Sequence, residues 1–333
     1  MSRNTATLLV ILAAALVPLA MQLLGARQVY WLFVVSEFFI FAIVSISLDL
    51  LMGRTGQISL GHAGFVALGA YTAAILNTRY GVDLLFGSLA GGVVAGVGSL
   101  VLGFPAARLR GHYLGIVTLG FGIAVDQIAL KWDTLTGGGQ GLHLRKPMLL
   151  GMDVGSPVLM YYVSLGALVI AALLVWNLTR TRLGRAFAAV KDSEVAAEAM
   201  GVAVARTKVI AFLCSAFLAG VAGGIYAFLA GFIAPEDFEL NSSLLFFAMV
   251  ILGGMGSIRG AIGGAVVVDA IKNAAATVSG LSLTILGGMI VLAALFFPGG
   301  LKALLQPRSA RRRPPLASPS TASASTVRAT TDA

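Results

Sequence analysis

The sequence predicts an all-α, polytopic membrane protein of about ten transmembrane helices, some of them broken at glycine-rich segments. Three observations carry that prediction. Hydrophobic residues make up 58% of the 333-residue chain and charged residues only 11%, against about 25% charged in soluble proteins. The apolar residues fall in unbroken runs near the roughly 20 residues that cross a bilayer, whereas a barrel would alternate over segments of about 10 residues. Glycine-rich stretches at 53–64 and 253–264 interrupt two of these runs.

The first run, 6–24, has an apolar core longer than the 7–15 residues of a signal peptide, so it reads as a retained helix. The second, 30–52, carries Glu37 and Asp49, and the third runs from about 65 to 78. The fourth, 84–104, is expected to end at Pro105, before a basic turn with Arg108 and Arg110. The fifth, 113–130, is short and contains Asp126, and 131–156 reads as an external loop without helical period. Runs at 157–178, 209–229, 244–252, about 265–278 and 281–297 complete the set. Residues 1–300 thus form a transmembrane domain. Residues 301–333 form a disordered tail, rich in Pro, Ser, Thr and Ala, that cannot bury a core.

Segment 179–208, TRTRLGRAFAAVKDSEVAAEAMGVAVARTK, is the one long polar stretch between spans. It carries six basic residues and three acids, and short loops rich in Lys and Arg stay in the cytoplasm. Residues 184–190 and 192–200 each read as a short helix, with Gly201 ending the second. Counting crossings outward from this loop places both termini in the cytoplasm and the 131–156 loop outside.

The net charge of +9 does not mark a nucleic-acid partner. The tail from Lys302 holds six bases and one acid, and the remaining charge follows the positive-inside bias. Cys214, the lone cysteine, reads as a buried small hydrophobe. No phosphate-binding glycine loop, H-E-x-x-H or G-x-S-x-G motif is present, so an ATPase site of that kind, a zinc site or a serine nucleophile is not expected, and no metal or cofactor either.

The two glycine-rich stretches align without a gap, matching at Gly53/Gly253, Gly56/Gly256, Ile58/Ile258, Gly64/Gly264, Val66/Val266 and Ala70/Ala270. Broken helices at corresponding places of a repeat mark transporter substrate paths; the other reading is close-packed helix crossings. The candidate path lining is Gly56, Gln57, Ser59, Gly61 and His62, with Gly253, Gly256 and Ser257 opposite. Backbone groups at a break can meet a zwitterion without burying a formal charge. His62 has a second reading, a hydrogen bond at a helix start. Glu37, Asp49, Asp126 and Asp269 are embedded acids that carry no assigned proton relay, and Asp269 could neutralise Lys272 three residues on.

The central loop contains A-A-x(3)-G at Ala196, Ala197 and Gly201, and it resembles the coupling loop of ABC importer permeases, E-A-A-x(3)-G. The fuller run GRAFAAVKDSEVAAEAMG is similar to LivM-type permeases of branched-chain amino acid importers. LMGRTGQISLGHAGF at 51–65 and ILGGMGS at 251–257 resemble the same family. One departure is Val195 at the expected Glu position, with Glu194 one residue earlier. The resemblance implies a permease subunit without its own ATPase site, in a bacterial inner membrane. It would partner a second homologous permease, two cytoplasmic ATP-binding subunits and a periplasmic solute-binding protein. It also implies that Arg185, Lys191, Asp192, Glu194, Ala196, Ala197, Glu198 and Gly201 couple to the ATPases. Importers of urea or another small polar solute, an ion-coupled secondary transporter, and a membrane scaffold or enzyme subunit are the competing readings.

Overall fold

The computed structural model describes residues 17–18, 28–108, 112–275 and 287–288. The expected spans at 6–24 and 281–297, and the tail, lie essentially outside these residues. The rest is a helical bundle around one central helix, α1 (Gln28–Thr55). Its 28 residues span about 42 Å, and every residue from 39 to 53 is buried. A helix apolar on all sides belongs inside, and the others pack around it: α2 (His62–Tyr80), α3 (Leu84–Arg108), α4 (His112–Lys131), α5 (Pro157–Arg180), α8 (Val204–Ala230), α9 (Leu240–Gly253) and α10 (Ile258–Ala275). Two short helices, α6 (Arg182–Asp192) and α7 (Glu194–Ala199), form the polar loop between α5 and α8.

Five described helices are long and apolar enough to cross a membrane: α1, α3, α4, α5 and α8. Helix α9 has 14 residues, about 21 Å, well under a hydrocarbon core of about 30 Å. It returns through the second glycine break into α10, which packs against it. The described residues therefore bear out the all-helical membrane architecture and leave the count of ten open.

Helices α2, α3 and α8 cross at glycines. A Cβ on Gly69 would strike the Gly220 carbonyl, one on Gly91 would lie 2.5 Å from the Gly69 carbonyl, and one on Gly220 would lie 2.7 Å from that of Gly91. Helices that gain nothing from hiding apolar surface from lipid gain from such close approach instead. Gly220→Ala is expected to lower stability by about 2 kcal/mol, as overpacking does. Thermal unfolding in detergent, read by the loss of monodisperse protein, checks this.

Several boundaries differ from the sequence expectation, among them α9 and α10, which start at Leu240 and Ile258 rather than at 244 and about 265. Helix α3 runs through Pro105 to Arg108; proline removes one backbone donor, a loss that membrane helices tolerate where neighbours satisfy the freed carbonyl. Helix α8 begins at Val204 rather than 209, taking Arg206, Thr207 and Lys208 into its first turns. Asp192 closes α6 instead of opening α7, because Ser193 takes the cap, its hydroxyl accepting from the Ala196 N–H at 3.2 Å.

The loop expected to lack regular structure is partly ordered at the end of the bundle away from α6 and α7. It holds a helical turn (Asp133–Thr136), a 3₁₀ turn (Gly138–Gln140) and a two-residue pairing of Met148–Leu149 with Met152–Asp153. Leu142–His143 pairs antiparallel with Phe232–Ile233. The Asn77 amide at the end of α2 donates to the Val82 carbonyl at 3.1 Å, and its oxygen accepts from the Arg145 N–H at 2.8 Å. Elements of two to four residues are shorter than any period a sequence can display.

Candidate functional site: two glycine breaks joined by a polar loop

Helix α1 ends in a left-handed glycine cap: the Gly56 N–H donates to the Met52 carbonyl and the Gln57 N–H to that of Leu51, with Gly56 at φ +73°. The chain then crosses 56–61 without helix before α2 starts at His62. Side chains from three other helices hold this segment. The Leu60 N–H donates to the Thr118 hydroxyl of α4 and the Ala63 N–H to the Ser243 hydroxyl of α9, both at 3.0 Å. His62 is fully buried, and its Nε2 lies 2.8 Å from the Ser47 hydroxyl of α1. A Cβ on Gly61 would strike the Thr118 carbonyl.

His62 opens α2 and is hydrogen-bonded there, as its second reading expected, while its other ring nitrogen has no partner among the described residues. Gln57 Oε1, Ser59 Oγ and His62 Nδ1 are buried without hydrogen-bond partners among the described residues. Buried polar atoms are nearly always bonded, so three unpartnered ones within six residues, at the break and the first residue of α2, are unusual.

The second break, 254–257, comes to the first. The Gly256 N–H donates to Asp49 Oδ1 of α1 at 2.6 Å, and a Cβ on Gly53 would strike the Gly256 nitrogen. Ser257 caps α10, its hydroxyl accepting from the Gly260 N–H at 3.2 Å, which leaves it committed to structure. The Ser45 hydroxyl of α1 donates to the Ala261 carbonyl at 3.0 Å. Gly253 packs on Gly260, where a Cβ would strike the carbonyl. The two aligned stretches thus serve as close crossings and also converge on one place.

The polar loop reaches that place directly. Helix α6 buries Phe187 and Val190 against the bundle. The next residue, Lys191, sends its ammonium to the Gly53 carbonyl at 2.7 Å. The same nitrogen would lie 3.8 Å from a Cβ on Gly256, and the Lys191 stem 3.5 Å from one on Gly56. A cation at the C-terminal carbonyls of α1 also suits the helix dipole. In α7, Glu194 pairs at 2.7 Å with Lys208, a lysine only 2% exposed at the start of α8. Ala197 is buried, and Gly201 turns the chain at φ +81°.

Of the residues expected to face a partner, Arg185, Asp192, Ala196 and Glu198 are exposed, while Glu194 and Ala197 face inward. Lys191 exposes its stem and commits its head to the break. Sequence reasoning gave no contact role to Met200 or to Val195, noted only as a departure from the motif; these large apolar residues are 84% and 66% exposed on this loop. It also gave no role to Asp49, which lies four residues before Gly53 and so on the same helix face. Lys272 makes its direct ion pair with Glu37 of α1, at 2.8 Å, and not with Asp269.

A family model, Branched-chain amino acid transport system / permease component, matches residues 30–295. The high-affinity branched-chain amino acid transport system permease proteins LivM of Salmonella typhimurium and Escherichia coli are each 34% identical over 293 residues, covering 81% of this chain and 69% of theirs. The autoinducer 2 import system permease protein LsrC of an Enterobacter species is 31% identical over 277 residues, 79% of this chain and 76% of its own. No solved structure matches the chain.

Proposed function

We infer from one fact, that the chain belongs to the family of permease components of branched-chain amino acid transport systems, that it is the membrane subunit of an ATP-driven importer of branched-chain amino acids in a bacterial inner membrane. It works beside a second, homologous permease. Two ATP-binding subunits sit on the α6–α7 loop, and a periplasmic solute-binding protein delivers solute at the other end; ATP is bound by the partners. The observation that supports coupling through this loop is the Lys191–Gly53 hydrogen bond, which ties the loop to the point where both breaks meet. A push on the loop then acts on the breaks through one short contact, and Gln57, Ser59 and His62 take the solute's polar groups in turn.

Relatives named for autoinducer 2 import support a second reading, in which the fold is the same and the solute is another small polar molecule. Uptake of labelled leucine by the chain with its partner subunits, in a strain lacking its own leucine importer, separates the two. Accumulation supports the first reading, and none with full expression overturns it.

The exposed face of the loop is the docking surface for the ATPases, with Val195 and Met200 as its apolar contacts and Arg185, Asp192 and Glu198 around them. Ala196→Arg or Met200→Asp is expected to cut ATPase copurification about threefold at unchanged membrane level. Quantitative pull-down from solubilised membranes checks it, and undiminished capture would move the docking surface elsewhere.

A further inference from the structure

The end of the bundle opposite the α6–α7 loop holds a cavity of about 200 Å³ between α1, α8, α9, α10 and the 3₁₀ turn Pro235–Phe238. Its walls are mostly apolar. The Phe41 ring stands edge-on to Phe246 at 5.4 Å and stacks with Tyr226 at 6.1 Å, and Val44 and Val66 also line the cavity. Its charges are few and of both signs. The Lys272 ammonium sits 4.7 Å over the Phe41 ring and 2.8 Å from Glu37. Glu236 and Asp237 both line the cavity. Asp237 Oδ2 accepts from the Ala234 N–H at 2.9 Å, and Glu236 has no hydrogen-bond or ion-pair partner among the described residues.

We propose that this cavity is a binding site for an α-amino acid with an aliphatic side chain, entered before the glycine breaks. The ammonium meets Glu236 and Asp237, the carboxylate shares Lys272 with Glu37, and the side chain lies on Phe41 and Phe246. An ammonium group has three donors and can serve two carboxylates. Opposite charges over a small apolar floor fit a zwitterion with a greasy side chain and fit neither a plain anion nor a sugar. The volume suits a small solute and not a peptide of several residues.

The floor also leads to the candidate path. Val44 is three residues from Ser47 on α1, and Val66 four from His62 on α2, so each pair shares a helix face. One helical turn therefore separates the cavity from the Ser47–His62 contact. The neighbouring wall residues Ser242 and Ser243 divide the same way, Ser242 lining the cavity and Ser243 holding Ala63 of the break.

The proposal rests on the import reading above, and the test separates the two. In the assembled transporter in nanodiscs, Ser242→Cys in a Cys214→Ser background gives one thiol in the cavity for an impermeant maleimide. L-Leucine is expected to slow labelling at least fivefold, and isoamylamine and isocaproate, which lack the carboxylate or the ammonium, by less than twofold. Glu236→Gln or Lys272→Gln should abolish protection; Glu236, unpartnered, can be changed without disturbing the fold, and Lys272→Arg should restore protection. Equal protection by isoamylamine would make this a cation site and overturn the proposal. So would absent leucine protection in a complex that imports leucine. A complex that does not import leucine overturns the import reading, and this site with it.

Discussion

Lys191→Ala is expected to reduce solute uptake tenfold or more while the partner subunits still copurify with the permease. The lysine makes a charge-assisted bond to the Gly53 carbonyl at 2.7 Å, a kind of contact worth about 1.5–3 kcal/mol. Its loss leaves the end of α1 without that partner and the loop without its direct tie to the meeting point of the breaks. The exposed face formed by Ala196, Glu198 and Met200 is untouched, so docking survives while transmission fails. Lys191→Arg, which keeps the charge but not the compact head, should retain part of the activity. Uptake into proteoliposomes alongside pull-down of the ATPases gives both readouts. Full uptake with alanine would mean that loop movement reaches the breaks by another contact.

Glu194→Ala is expected to cost about 3 kcal/mol of stability, because it removes the carboxylate 2.7 Å from a lysine that is only 2% exposed. Breaking a buried pair at one partner is far worse than replacing both. The double change Glu194→Ala with Lys208→Met should therefore recover most of the loss, since the apolar side chain needs no counter-charge. Thermal unfolding of the three variants in detergent checks this. Equal destabilisation by single and double changes would show that the pair is incidental to the fold. The pair also fixes where α7 sits against α8, so the single variant should couple poorly even at temperatures where it stays folded.

The glycine breaks, the two loop helices and the turn at Gly201 were legible because each is local: a composition shift, a cap or a turn glycine. What the sequence hid is where side chains point across the fold. Lys191 and Glu194 read as charges that couple to a partner, yet each is committed within the chain, Lys191 to the distant Gly53 and Glu194 to Lys208 at the start of α8. Asp269 and Lys272 lie at helical spacing, which suggests a pair, but Lys272 finds Glu37 on another helix. The start of α8 misled in a related way. A buried Lys208 looks like the end of a loop until its counter-charge is known.

The antiparallel pairing of Leu142–His143 with Phe232–Ile233 welds two stretches that the sequence keeps ninety residues apart. The second stretch runs straight into the turn bearing Glu236 and Asp237. The loop after α4 is therefore joined by backbone hydrogen bonds to the turn that carries Glu236 and Asp237, so a displacement of that loop is expected to reach both carboxylates.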